Sequence, residues 1–457
     1  MNIVLAMFLS VGIKAISAII EIVMQILMTR SVGVNGYGEY TFLVSLVETA
    51  YFVLFSGSIK LNTFYLSTPE LSLNAFKENY FKKYVLPIII ILFMLSVIKI
   101  NLIYSIATII LLTYFFAFDK SSTLISRGKQ GIALLGEYLL GRIVMLIGII
   151  ILIKIDMINT LWLFILYGLQ FLIMWIWLKK HDEDKFYNTS EIRVPIKKLV
   201  EFQKSDIANA LISYTPVILQ YMFGSAFTAG FAGILTILKK IVNFIAGPTA
   251  KVFLPECSRL YKSHELEKLK KTYLMIVKIQ MVVIGAASAL LLGFPSLVLN
   301  AFNPQLVQYS NLLIFVAVSL LFAASIGPVT GFLQMTGNEI ICNRNQWISI
   351  VVMFIVCVIM RDDSCFAVYG LCAQAISEGL LKYYSICKWF KSNIVSVKQY
   401  ILFVLPLIIF MTIVQAYKLN DNVFFAIMIV TLTALWNFYF VIQDNLVRET
   451  LFRFIRK

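Results

Sequence analysis

Charge is scarce in this chain of 457 residues: Asp, Glu, Lys and Arg make up 14% of it, against about 25% in soluble globular proteins. With 60% hydrophobic residues and a mean hydropathy of +0.86, it reads as a polytopic membrane protein rather than a soluble domain. Histidine is nearly absent, and His181 and His264 both fall in charged loops. The six cysteines (Cys257, Cys342, Cys357, Cys365, Cys372 and Cys387) contain no Cys-x-x-Cys pair, and four lie in or beside apolar runs. That argues against a metal or redox centre, and no cofactor is expected. There is no Gly-x-x-x-x-Gly-Lys-Ser/Thr loop, so no ATP is bound in that way. No soluble stretch is large enough for a nucleotide-sugar transferase, and no outward connection has room for a polymerase or ligase site. Binding a ligand and moving it through a helical bundle is what these absences leave.

Apolar runs of spanning length predict fourteen helices, at roughly 3–28, 40–59, 84–98, 102–118, 132–153, 158–178, 206–223, 227–254, 273–293, 309–335, 346–360, 365–387, 399–417 and 423–443. The third and fourth are split only by Lys99-Ile100-Asn101 and read as a tight hairpin. The first is too long for a signal peptide and is interrupted by Lys14 and Glu21, so it is not read as a cleaved leader.

The net charge of +15 is not gathered in a basic domain, which argues against nucleic acid. Of the 39 Lys and Arg residues, 29 lie in or beside one alternate set of connections and the tail. Five (Arg30, Lys99, Lys154, Arg361 and Lys418) lie in the opposite set. Under the positive-inside rule both termini are cytoplasmic. The remaining five, Lys14, Arg142, Lys239, Lys240 and Lys278, lie within helices.

The second half of the chain repeats the first. Helix one carries Ser10, Lys14, Ser17, Glu21 and Gln25 on one face. Helix seven carries Asp206, Asn209, Ser213 and Gln220, and a shift of 195 sets Lys14 on Asn209, Glu21 on Pro216 and Gln25 on Gln220. The turn Asn35-Gly36-Tyr37-Gly38-Glu39-Tyr40 has a counterpart in Phe227-Thr228-Ala229-Gly230-Phe231. Gly57-Ser58 corresponds to Gly247-Pro248, and Leu124–Lys129 to Leu333–Asn338. Six helices per half is an even number, so the halves share an orientation, with a pseudo-twofold along the membrane normal. The expected domains are an N-terminal six-helix bundle at 1–178, a cytoplasmic linker at 179–204 and a second bundle at 205–390. Two additional helices and a basic tail follow at 391–457. The fold class is therefore all-α, about 14 transmembrane helices around a central cavity.

A charge near the centre of a spanning helix costs several kcal/mol against lipid, so it faces a partner, water or a ligand. Lys14 and Glu21 are seven residues apart, about 10 Å along a helix, too far for a simple contact. Lys14, Arg142, Lys239, Lys240 and Gln25 are the candidate substrate-binding residues, and Glu21, Glu48 and Asp206 the candidate ion-coupling acids. Pairing between such charges is the alternative, and Glu378 with Lys382 fits it one turn apart. Pro216, Gly247, Pro248 and Pro328 interrupt helices and are candidate hinges. Most of the 36 Phe and 22 Tyr suit lipid or interface; a tyrosine such as Tyr221 could instead stack on a sugar ring.

Arg30-x-x-Gly33 followed by Tyr37-Gly38-x-Tyr40, directly after a helix with an internal polar stripe, resembles the polysaccharide biosynthesis flippases. These belong to the multidrug/oligosaccharidyl-lipid/polysaccharide (MOP) exporter superfamily. The signals ending helices four and ten, and the two six-helix bundles followed by two extra helices, are similar to that family too. The resemblance implies movement of an undecaprenyl-diphosphate-linked oligosaccharide repeat unit (O-antigen, capsule or exopolysaccharide) across the bacterial cytoplasmic membrane. It also implies alternating access and a polysaccharide polymerase and chain-length regulator as partners beside the membrane lipids. The basic residues would meet the diphosphate. A lipid II flippase, a cation-coupled drug exporter of the same superfamily and a non-transporting membrane scaffold are the alternatives. Lys14 standing where the lipid II flippase has arginines favours the polysaccharide branch.

Overall fold

In the computed structural model the described residues are 3–57, 59, 71–72, 78, 80–98, 102–127, 129–181, 190–191, 196–244, 257, 259–261, 263–324, 326–391, 409–410, 412–414 and 422–442. The all-helical architecture expected from the apolar runs is present. The chain separates into two compact units, Met1–Gly233 and Ile234–Lys457.

In the first unit, α1 (Ile3–Ser31) passes to α2 (Gly33–Leu54) through Val32 alone. Gly33 makes that corner at φ +71°, a backbone region closed to most side chains. The second helix thus starts earlier than the predicted residue 40. Next come α3 (Leu86–Ile98), entered through a π-helical turn at Phe81–Val85, and α4 (Leu102–Ser126). Helix α5 is composite: Gln130–Leu134, a π-helical Leu135–Leu140 and Gly141–Lys154. α6 (Thr160–His181) and α7 (Ile196–Phe223) follow, with α7 packed along α2 and α6 against α4 and α5. α8 (Ala226–Phe244) begins in this unit.

Contacts within this unit fix which connections share an end. Leu71–Ser72 pairs in parallel with Ser190–Glu191. Gln203 Oε1 accepts from Gly57 N at 2.7 Å, and Lys129 Nζ donates to His181 O at 3.0 Å. Connections 2–3, 4–5 and 6–7 therefore lie at one end. At the other, Thr160 Oγ1 donates to Gly36 O at 3.3 Å, and α2 crosses α8 at Gly38 and Gly230. A Cβ on Gly38 would overlap the Ala226 carbonyl, and one on Gly230 would lie 2.5 Å from Val34 O, so both positions require glycine. This is the alternation that the basic-residue count predicts. Outside the spans, the Lys82 ammonium beside Glu78 (2.5 Å) holds that carboxyl below its usual range.

The second unit holds α9 (Leu266–Gly293), α10 (Pro295–Phe302), a 3-10 turn at Pro304–Tyr309, α11 (Ser310–Ala324) and α12 (Val329–Met335). α13 (Glu339–Ile359), α14 (Phe366–Phe390) and α15 (Val423–Ile442) complete it. The chain turns by 85° between Gly293 and Pro295, adding α10, which the apolar pattern does not predict. Proline at the first position of α10 lacks the N–H that a continued α9 needs. The predicted tenth helix is broken into α11 and α12. Gly327 sits at φ +91°, and a Cβ there would lie 2.5 Å from Val277 Cγ2. The fully buried Tyr273 donates its hydroxyl to Ile326 O at 2.7 Å, supplying a partner at the break. Tyr273→Phe is expected to cost about 1–3 kcal/mol by leaving that carbonyl unpaired, read as a lower thermal unfolding midpoint of the purified protein. An unchanged midpoint would show that the hydroxyl is dispensable. The predicted thirteenth helix, at 399–417, lies mostly outside the described residues.

Five helices among the described residues are long and apolar enough to cross a membrane by length and composition alone. They are Leu102–Ser126, Gly131–Lys154, Thr160–His181, Pro304–Ala323 and Glu339–Ile359.

Candidate ionic site in the first unit

α1, α2, α5, α6 and α7 bring together groups far apart in sequence. Glu21, on the polar stripe of α1, forms an ion pair with Arg142 of α5, Nη2 to Oε2 3.2 Å, the side chains 28% (Arg142) and 18% (Glu21) exposed. Glu137 lies only five residues before Arg142 in the chain, yet the ion pair is made to Glu21 of another helix. Glu137 sits in the π-helical stretch, where Ser121 of α4 donates to it at 3.1 Å. π-Helical turns often accompany functional sites because they re-aim one side chain.

Glu48 of α2 accepts a hydrogen bond from Tyr167 of α6 at 2.7 Å and another from Tyr214 of α7. Arg142 lies within electrostatic reach of Glu48, Tyr167 and Tyr40. Tyr40 meets Tyr167 edge-on, centroids 6.4 Å apart, and Tyr51 lies 4.1 Å from Tyr114 of α4. Around Tyr51 lie Glu137, Asp206, Asp119 and Glu48, so the buried Asp206 of α7 joins the same acidic surroundings. Gln25 Oε1 and the Tyr37 hydroxyl are buried and find no hydrogen-bond partner among the described residues.

Composition places most tyrosines at lipid or interface and does not single these out. The missed signal is spacing: Tyr37, Tyr40, Glu48 and Tyr51 recur at intervals of three, eight and three, one face of a helix. Tyr221, the sugar-stacking example, stacks on Phe42 with centroids 4.1 Å apart.

The second unit has its own buried polar cluster. Glu378 of α14 pairs with Lys382 at 2.7 Å, as its spacing predicts, and accepts from Gln374 Nε2 at 2.6 Å. Ser349 of α13 accepts from Gln374 at 3.3 Å, and Asn345 donates to Ser385 at 2.8 Å. Lys239 of α8 lies within electrostatic reach of Glu378 and Lys382. The structure therefore groups Glu21, Glu48, Asp206 and Arg142 in one unit and places Lys239 in the other. The side chains of Lys14 and Lys240, and residues Gly247 and Pro248, lie outside the described residues. Pro216 is buried within an uninterrupted α7, and Pro328 sits at the break before α12.

No protein-family model matches this chain, and neither does any curated protein. Solved structures do match its fold. A lipid II flippase, MurJ, in an inward closed conformation superposes with a TM-score of 0.66 at 16% identity, over 96% of this chain and 99% of that one. An inward-facing multidrug resistance MATE family transporter of the MOP superfamily gives 0.60 at 14% identity, over 84% of this chain and 98% of its own. The MATE multidrug transporter DinF-BH gives 0.55 at 14% identity, over 85% and 95%. The fold of this chain is that of the MOP-superfamily transporters.

Proposed function

We propose that this chain is a flippase, and not an enzyme, carrying undecaprenyl-diphosphate-linked oligosaccharide repeat units across the bacterial cytoplasmic membrane by alternating access. The observation that carries this reading is the extent of the fold match. The drug exporters cover 84% and 85% of the chain, whereas the lipid II flippase covers 96%. Two helices beyond a twelve-helix exporter core suit a flippase better than a drug exporter. The interior charges add support, because a diphosphate needs cations, and charged hydrogen bonds to phosphate are the strong ones.

In this reading the bundles 1–178 and 205–390, joined by the 179–204 linker, rock about a cavity, with both termini cytoplasmic. Lys14, Arg142, Lys239, Lys240 and Gln25 meet the substrate, and Glu21, Glu48 and Asp206 couple an ion. Pro216, Gly247, Pro248 and Pro328 act as hinges. A polymerase and chain-length regulator act on the delivered units. The same fold match supports a second reading, flipping of lipid II itself.

Complementation separates them. Expression in a strain lacking its repeat-unit flippase is expected to restore surface polysaccharide, and Lys14→Ala is expected to abolish that rescue at unchanged protein level. Rescue of a lipid II flippase depletion instead would establish the second reading. Failure of both, with raised drug resistance, would sink the proposal.

A further inference from the structure

Gln203 is set apart by how fully its side chain is engaged. It sits in α7, which begins at Ile196, inside the stretch that the sequence pattern reads as linker. Its Oε1 accepts from Gly57 N at 2.7 Å, and its Nε2 donates to Phe52 O at 2.9 Å and also to Val53 O. One amide thus spends its oxygen and both N–H groups on the end of α2. Only glycine fits opposite it: a Cβ on Gly57 would overlap Gln203 Oε1 and lie 3.1 Å from the Leu199 carbonyl of α7.

The last turn of α2 has donors of its own. Carbonyls at a helix C-terminus lack a partner within the helix, and here Ser56 Oγ donates to Phe52 O at 2.7 Å and the Tyr80 hydroxyl to Leu54 O at 2.7 Å. Ser56 and Tyr80 both belong to the stretch 1–178. Among the described donors to this turn, Gln203 is the one that comes from α7, so its role is to tie two helices rather than to finish one.

We propose that Gln203 is a latch at the cytoplasmic end of α2 and α7: its amide bridges the two helices in the closed form, and its release lets those ends part. This rests on the transport reading, in which 1–178 and 205–390 move against each other. It deepens that reading by naming the residue that guards entry from the cytoplasm.

Water makes the latch reversible. The bonds to Gly57 and Phe52 are half-buried and the one to Val53 is exposed, so water takes over each group as the amide leaves. The exchange of one neutral protein bond for water shifts an equilibrium by only about fivefold. The opposite end of α2 is built differently. Phe42 stacks on Tyr221 with centroids 4.1 Å apart, and Gly38 crosses α8 backbone to backbone. That end serves as the fulcrum, and the opening widens from it toward Gln203.

The test uses the full-length protein in lipid nanodiscs, carrying Cys387→Ser because the other five cysteines are buried. Nitroxides on Lys83→Cys and Lys204→Cys, both exposed positions, report the distance across the cytoplasmic end by pulsed electron resonance. One short distance is expected in this background. Gln203→Ala is expected to raise a longer population at least about tenfold, given about fivefold for each bond lost. Gln203→Glu should do so too, since a carboxylate has no donor for the two carbonyls. Tyr80→Phe, which loses a donor to the same turn but none from α7, should leave the distances unchanged. An unchanged distribution in Gln203→Ala, or an equal change in Tyr80→Phe, would overturn the proposal. Should Gln203→Ala not fold, Gly57→Ala serves instead, because its methyl takes the place of the amide oxygen; a longer population supports the latch and its absence overturns it. None of these measurements needs a lipid-linked saccharide. A failed rescue with the distance response intact removes the substrate reading alone, and rescue without that response removes only the latch.

Discussion

Gly38→Ala is expected to prevent accumulation of folded protein, or to lower stability by about 3 kcal/mol, the upper range for overpacking. The added methyl would overlap the Ala226 carbonyl and lie 2.9 Å from Gly230 N, and both obstacles are backbone. Backbone at a helix crossing yields only if a whole helix moves, so no rotamer change relieves the overlap. Gly36→Ala is the control on the same turn. Its Cβ meets side-chain atoms, Val32 Cβ at 3.1 Å and Thr160 Oγ1 at 3.5 Å, and a small effect is expected. Thermal unfolding and chromatographic behaviour of the two variants check the contrast, and equal behaviour would refute the close crossing.

Arg142→Met is expected to cost about 3 kcal/mol, the lower end of the range for stranding one member of a buried ion pair. The lower end applies because Arg142 and Glu21 retain 28% and 18% exposure, so water screens part of the charge. Glu21→Gln alone leaves the guanidinium near Glu48, which offsets part of its loss, and a smaller effect follows. The double variant Glu21→Gln/Arg142→Met should then be more stable than Arg142→Met alone. A double-mutant cycle on unfolding midpoints reads the coupling, expected at about 1–3 kcal/mol; additive losses would mean that the two side chains do not interact.

Much of the fold was legible because bilayer spans need long apolar runs and loops carry the charge. What was not legible came from local breaks and from partners distant in sequence. The 85° turn at Phe294 looks like the end of a span until α10 is seen to continue from Pro295. Arg142 could be recognised as a charge needing a partner, but choosing Glu21 over Glu137 depends on where α1 lies against α5. The tyrosine donors to Glu48 come from helices more than a hundred residues away, and composition alone assigns such residues to lipid. Pairing of Glu378 with Lys382 was readable because both partners share one helix.

The crossing of α2 and α8 has one more consequence. Gly38 meets Ala226 while Gly230 meets Val34, and each residue of one contact is the other's counterpart under a shift of 192. Such reciprocity is the mark of an isologous interface. If the halves descend from one gene, its product met its own copy there, and any substitution struck both sides of the contact at once. Fusion ended that: each glycine now mutates alone. A lineage could therefore open one side of the crossing and close the other, an asymmetry denied to a symmetric pair.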